Sequence, residues 1–164
     1  MRYDAEVSSA IARVNPSIDP MLVHAIIQRE SSHGSVLVTA EPGGRYSYGP
    51  MMVLDSTARG FGVSDPSSLA RDPAAGIYYG VRYLNERLQR YPGDSASAIA
   101  AYNAGTARRT SSGAFVNQAY VNAVTGFWRQ YRALAPAAAG ASLLLAALIG
   151  TYLVLRSRRR ARAA

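Results

Sequence analysis

The chain has no cysteine and no lysine. The first absence excludes a disulfide framework, a thiol nucleophile and a zinc site built on thiolates. The second leaves all 18 basic charges on arginine, which reads as coding bias in the source rather than a demand of the fold. Histidine is scarce, and His24 and His33 stand nine residues apart without metal-ligand spacing. No metal and no cofactor are expected. No basic start followed by an apolar run opens the sequence, so no cleavable secretory signal is read there. Strands of useful length with alternating polarity are also missing, and the expected fold class is all-α.

At 164 residues the chain has room for one ordinary domain and an appendage. The formal charge of +8 is unevenly spread: residues 1–135 carry 13 Arg against 10 acids, and Arg156, Arg158, Arg159, Arg160 and Arg162 supply the other five. The basicity is mostly a tail. Such a tail would touch DNA only through phosphates, weakly and without reading sequence, so no specific nucleic-acid partner is expected.

The best-signalled element runs from Asp19 to Gly34. Asp19 suits the N-cap, Pro20 the first helical position, and Gly34 the left-handed turn beyond a helix end. Val23, Ile26, Ile27 and Glu30 recur at spacings of three and four, so the Glu30 carboxyl continues an apolar stripe. Apolar surroundings and the negative end of the helix dipole both favour its neutral form. A free Glu titrates at roughly 4.3, and one in an apolar glycosidase pocket at about 6, which makes Glu30 a candidate general acid. The structural alternative is a solvated helix end paired with Arg29.

Elsewhere, Tyr3–Val14 reads as a short amphipathic helix ended by Asn15-Pro16. Residues 35–50 read as a long irregular loop that turns at Glu41-Pro42-Gly43-Gly44, the type of segment that often binds ligands. A capped helix is expected over Asp55–Gly60 and a single turn near Ser64–Leu69. A long helix follows from Asp72-Pro73 to about Tyr91, then one capped by Asp94 that leads to Gly105, and a last one from about Phe115 to Leu134.

Residues 137–155 are 19 in a row without a charge. As a helix they would reach roughly 28 Å, close to the hydrocarbon thickness of a bilayer, and are expected to form a transmembrane helix. The domain organisation is therefore 1–135, 137–155 and the Arg-rich tail 156–164. The arginines orient the tail to the inner side and attract anionic headgroups, making membrane lipid a partner of residues 137–162. Ala138, Ser142, Ala146 and Gly150 lie four apart and suit self-association of the span.

Several motifs, in order, give the domain a resemblance. Glu30-Ser31 closes a helix. Gly49-Pro50-Met51-Met52 is followed by Leu54-Asp55-Ser56-Thr57-Ala58-Arg59, and Gly80-Val81-Arg82-Tyr83-Leu84 lies within a helix. Ala100-Ala101-Tyr102-Asn103-Ala104-Gly105 and Tyr120-Val121 complete the set. Across about Met21–Tyr131 the chain resembles soluble-lytic-transglycosylase-like enzymes, the lysozyme-like cleavers of bacterial peptidoglycan. Pro50 and Met52 stand where that family has Leu and Gln, so one side-chain amide expected near the substrate is missing. Thr106-Ala107 replaces a common Pro-Gly.

The resemblance implies a lysozyme-like fold and glycan strands of peptidoglycan as the substrate. Glu30 would be the catalytic residue, cleaving between N-acetylmuramic acid and N-acetylglucosamine as acid and then base, with a 1,6-anhydro product. Ser31, Tyr48, Gly49, Met51, Tyr83, Tyr102, Asn103 and Tyr120 would form the substrate site, with Glu41, Thr39 or Ser47 able to replace lost contacts. Two rivals remain open. One is a lysozyme-type hydrolase using a second carboxylate, Glu41 or Asp55; the other is an inactive, membrane-anchored wall-binding or assembly protein. A single-pass protein with its domain outside fits a virion membrane, or a bacterial inner membrane facing the periplasm.

Overall fold

The computed structural model describes residues 1–135. Three of the helices begin at aspartate caps. α1 spans Asp4–Val14 and α2 Pro20–Ser31, where Asp19 Oδ1 accepts the Met21 N–H at 2.8 Å. α5, Pro73–Arg90, repeats the device: Asp72 accepts from Ala75 N–H. α6, Ser95–Ala104, starts at Asp94, which takes both the N–H and the hydroxyl of Ser97. Two short helices, α3 (Asp55–Gly60) and α4 (Ser68–Arg71), precede α5, and α7 spans Gln118–Leu134.

The all-α expectation needs correction. Three short strands form an antiparallel sheet in the order β1 (Val38–Glu41), β2 (Arg45–Tyr48), β3 (Val53–Leu54). Thr39 faces Ser47 and Glu41 faces Arg45 across the hairpin, and Tyr48 faces Val53. The turn foreseen at 41–44 is present, with Gly43 and Gly44 both at positive φ. The fold is predominantly helical with this small sheet on it.

α2 is buried along almost its whole length, with Leu22, Val23, Ala25, Ile26 and Ile27 at 2% exposure or less. Each such large aliphatic side chain contributes about 1.5–3 kcal/mol on leaving water, so the helix that ends at Glu30 is anchored by its core. α1 packs against α2 and along α5, and α5 packs on α6. Trp128 Nε1 donates to Asp19 Oδ2 at 2.9 Å and ties α7 to the start of α2. Gly80 on α5 makes room for Met51: a Cβ there would lie 2.5 Å from the methionine sulfur.

Residues Met1–Trp128 form one compact unit, and Arg129 opens a second that includes the last turns of α7. Among the described residues no helix is long and apolar enough to cross a membrane. The expected span at 137–155 and the tail at 156–164 lie outside the described residues.

Candidate active site

A cleft of about 390 Å³ opens between the end of α2, the hairpin, the Met52–Leu54 segment and the end of α6. Glu30 lies in it, in the last turn of α2. The Tyr120 hydroxyl, from α7, donates to Glu30 Oε1 at 2.5 Å, and the Arg29 guanidinium lies 5.4 Å from the Tyr120 ring centre. Burial raises the carboxyl to about 7, with the Glu41 charge adding to the rise, while the Tyr120 hydrogen bond and Arg29 oppose it. Burial, and then the proximity of Glu30, push the Tyr120 phenol well above its ordinary range, so it stays a donor.

Tyr102, Asn103 and Tyr83 line the same cleft. Tyr102 is buried, and its hydroxyl donates to the Met51 carbonyl at 2.8 Å. Its ring lies 5.2 Å from that of Tyr83, whose other neighbour is the Arg87 guanidinium at 4.5 Å. Arg87 also donates to the Gly105 carbonyl, bracing the end of α6. Asn103 Oδ1 accepts from Asn117 Nδ2 at 2.9 Å, which leaves the exposed Asn103 NH2 directed to other partners.

The other residues expected at the site do not line the cleft. Met51 is fully buried against Gly80, so its side chain belongs to the core and only its carbonyl serves the site. Gly49 is packed on α4 and α5; a Cβ there would meet the Leu69 carbonyl oxygen at 2.7 Å. Tyr48 packs on the cluster of Val53, Ala58 and Leu69 and stacks with Tyr46 at 6.2 Å. Ser31 is buried: its hydroxyl donates to the Pro50 carbonyl at 2.8 Å, has the Ile27 carbonyl at 3.1 Å, and accepts the Gly34 N–H at 2.9 Å. It holds the 49–52 loop against the end of α2.

The hairpin brings Glu41 and Ser47, two of the residues expected to replace lost contacts, to the cleft and adds Arg45, while Thr39 is not among the lining residues. Strand alternation puts Glu41, Arg45 and Ser47 on one face, and these line the cleft. Ser47 Oγ donates to Glu41 Oε1 at 2.9 Å. Met52, which stands where the resemblance implies Gln, also lines the cleft and adopts a left-handed φ of 47°. Asp55 instead lies at the start of α3, its carboxylate accepting the N–H of the next residue, Ser56, without capping the helix. His24 is buried beside Asp4, 3.0 Å from it, and burial lowers its pKa.

A carboxyl poised near neutrality on a polar cleft can both give and take a proton. The transglycosylase of Enterobacteria phage PRD1 is 38% identical over 100 residues, which are 61% of this chain and 34% of that protein. Protein IpgF of Shigella sonnei is 32% identical over 93 residues, 55% of this chain and 60% of its own length; IpgF of Shigella flexneri matches equally. The chain thus spans about a third of the phage relative and three-fifths of the Shigella ones. The transglycosylase SLT domain model matches residues 8–120, from α1 to the tyrosine that holds Glu30, and on that match this chain belongs to the SLT domain family.

Proposed function

We propose that the chain is a peptidoglycan lytic transglycosylase in which Glu30 performs both proton transfers. The observation that carries this reading is the Glu30–Tyr120 pair in the cleft, with the carboxyl raised to about 7. Protonated Glu30 gives its proton to the glycosidic oxygen joining N-acetylmuramic acid C1 to N-acetylglucosamine. The C1–O bond breaks and its electron pair leaves with the sugar hydroxyl so formed. The Glu30 carboxylate then removes the proton of the C6 hydroxyl, whose oxygen bonds to C1 and closes the 1,6-anhydro ring. The acid is regenerated and no water is consumed.

Tyr120 orients the carboxyl and stabilises its anionic form between the two steps. The Asn103 NH2 is placed to donate to an N-acetyl carbonyl, and Tyr83 and Tyr102 form the wall beside it. Mass spectrometry of muropeptides released from purified cell wall tests the reading: products lighter by one water than reducing ends are expected, and Glu30→Gln should release none.

Glu41 favours a second reading. A carboxylate in the same cleft can activate water, and the enzyme would then be a muramidase yielding reducing ends. The same digest separates the two, since anhydro and reducing ends differ in mass. An inactive wall-binding protein would leave the wall intact with or without Glu30.

For the remaining sequence, 19 uncharged residues followed by five arginines support a membrane span at 137–155 with the tail inside and residues 1–135 outside. That arrangement fits a virion membrane or a bacterial inner membrane facing the periplasm. Vesicle flotation of the full chain, lost on removal of residues 137–164, is the expected result.

A further inference from the structure

The cleft holds three charged side chains, Glu30, Glu41 and Arg45. Two have assigned surroundings: Glu30 is held by Tyr120, and Glu41 by Ser47. Arg45 differs. It stands directly opposite Glu41 in the hairpin register, yet no ion pair joins the two. Its Nε donates to the Pro42 carbonyl at 3.0 Å, across the turn made by Gly43 and Gly44. That bond fixes the plane of the guanidinium and leaves both Nη groups without a partner among the described residues. Arg45 is exposed, so the fork is open to solvent on the rim of the cleft.

A guanidinium tethered through Nε has already lost much of the freedom that a long side chain gives up on binding. Its two Nη groups match the spacing of the two oxygens of a carboxylate. We propose that Arg45 is a specificity residue that receives a carboxylate of the glycan substrate, so that the cleft distinguishes muramic-acid-containing strands from neutral N-acetylglucosamine polymers. This rests on the peptidoglycan reading above. The carboxylate has two sources in that substrate: the lactyl group of an unsubstituted muramic acid, or the stem peptide attached to it. Glu41, across the hairpin, opposes the incoming charge, so the two residues set the preference in opposite directions.

The test is equilibrium binding to the full chain carrying Glu30→Gln, which binds without turnover. Three ligands of equal length are compared: a muramic-acid tetrasaccharide with free lactyl carboxylates, the same tetrasaccharide bearing stem peptides, and neutral chitotetraose. Adding Arg45→Gln should weaken an anionic ligand about 5-fold more than chitotetraose, and Arg45→Lys should restore part of the loss, because a point charge replaces the fork. Adding Glu41→Gln should strengthen the same ligand relative to chitotetraose. Selective loss for the free-lactyl ligand assigns the lactyl group, and selective loss for the peptide-bearing ligand alone assigns the stem. Equal weakening of all three ligands, or no change in any, overturns the carboxylate subsite while leaving the glycan reading standing. Failure of the Glu30→Gln chain to bind any of the three overturns both.

Discussion

Tyr120 and Glu30 meet across 90 residues of sequence, the phenol of α7 donating to the carboxyl that ends α2. Because the bond favours the carboxylate, it holds Glu30 below the value that burial alone would set. Tyr120→Phe should therefore raise the Glu30 midpoint further above about 7 and extend activity to higher pH. It should also lower kcat about 10-fold, through loss of a hydrogen bond to a charged group. A pH profile of wall-clearing rate against wild type reads both effects.

The acid step needs Glu30 protonated, so kcat/KM should be level below pH 7 and fall about tenfold per pH unit above it. Glu41 adds to the rise, so Glu41→Gln should move the alkaline limb to lower pH. An unchanged limb in that variant would remove Glu41 from the electrostatics of the site.

Stability carries the same signature with a definite sign. Glu30 in the folded chain holds its proton up to about 7, against an ordinary value of 4.5. The folded state binds more protons than the unfolded between those values, so this residue's contribution to stability declines as pH rises from 4.5 to 7 and is constant above. Glu30→Gln removes the charge and should be more stable than wild type at pH 8, by about 1–3 kcal/mol, with the gap closing toward pH 4. Thermal unfolding of both proteins across that range measures it.

Ser31 and Tyr102 hold the 49–52 loop from opposite sides, through the carbonyls of Pro50 and Met51. Ser31→Ala or Tyr102→Phe should each cost about 1–3 kcal/mol by leaving a buried carbonyl without its donor. The two losses are expected to be non-additive, since both act on one short segment. A double-mutant cycle on unfolding free energy checks this.

The helices were legible because their ends are chemically marked. Asp19-Pro20 and Asp72-Pro73 each set a cap and a first turn, and both structures match. Glu30 was legible as an acid on an apolar stripe and Tyr120 as a residue of the site, and the fold shows Tyr120 to be the donor that holds the acid. The hairpin was not, since strands of four residues give too short an alternation to register, although the turn between them was plain. Met51 and Gly49 were read as cleft residues because their motif adjoins the site. Their local packing on Gly80 and Gly76 depends on α5, some 25 residues further along the chain, and no spacing within the motif carries that information. Arg45 carried no signal, as an arginine after two glycines is ordinary in any turn.

The two fastenings on the loop beside Glu30 grip main-chain oxygens, an atom every amino acid possesses. Pro50 can therefore replace leucine without loosening either one, since proline surrenders an N–H but keeps its carbonyl. Variation at this rim is thereby separated from the placement of the acid: the lining can be rewritten by substitution while its frame stays fastened to α2 and α6.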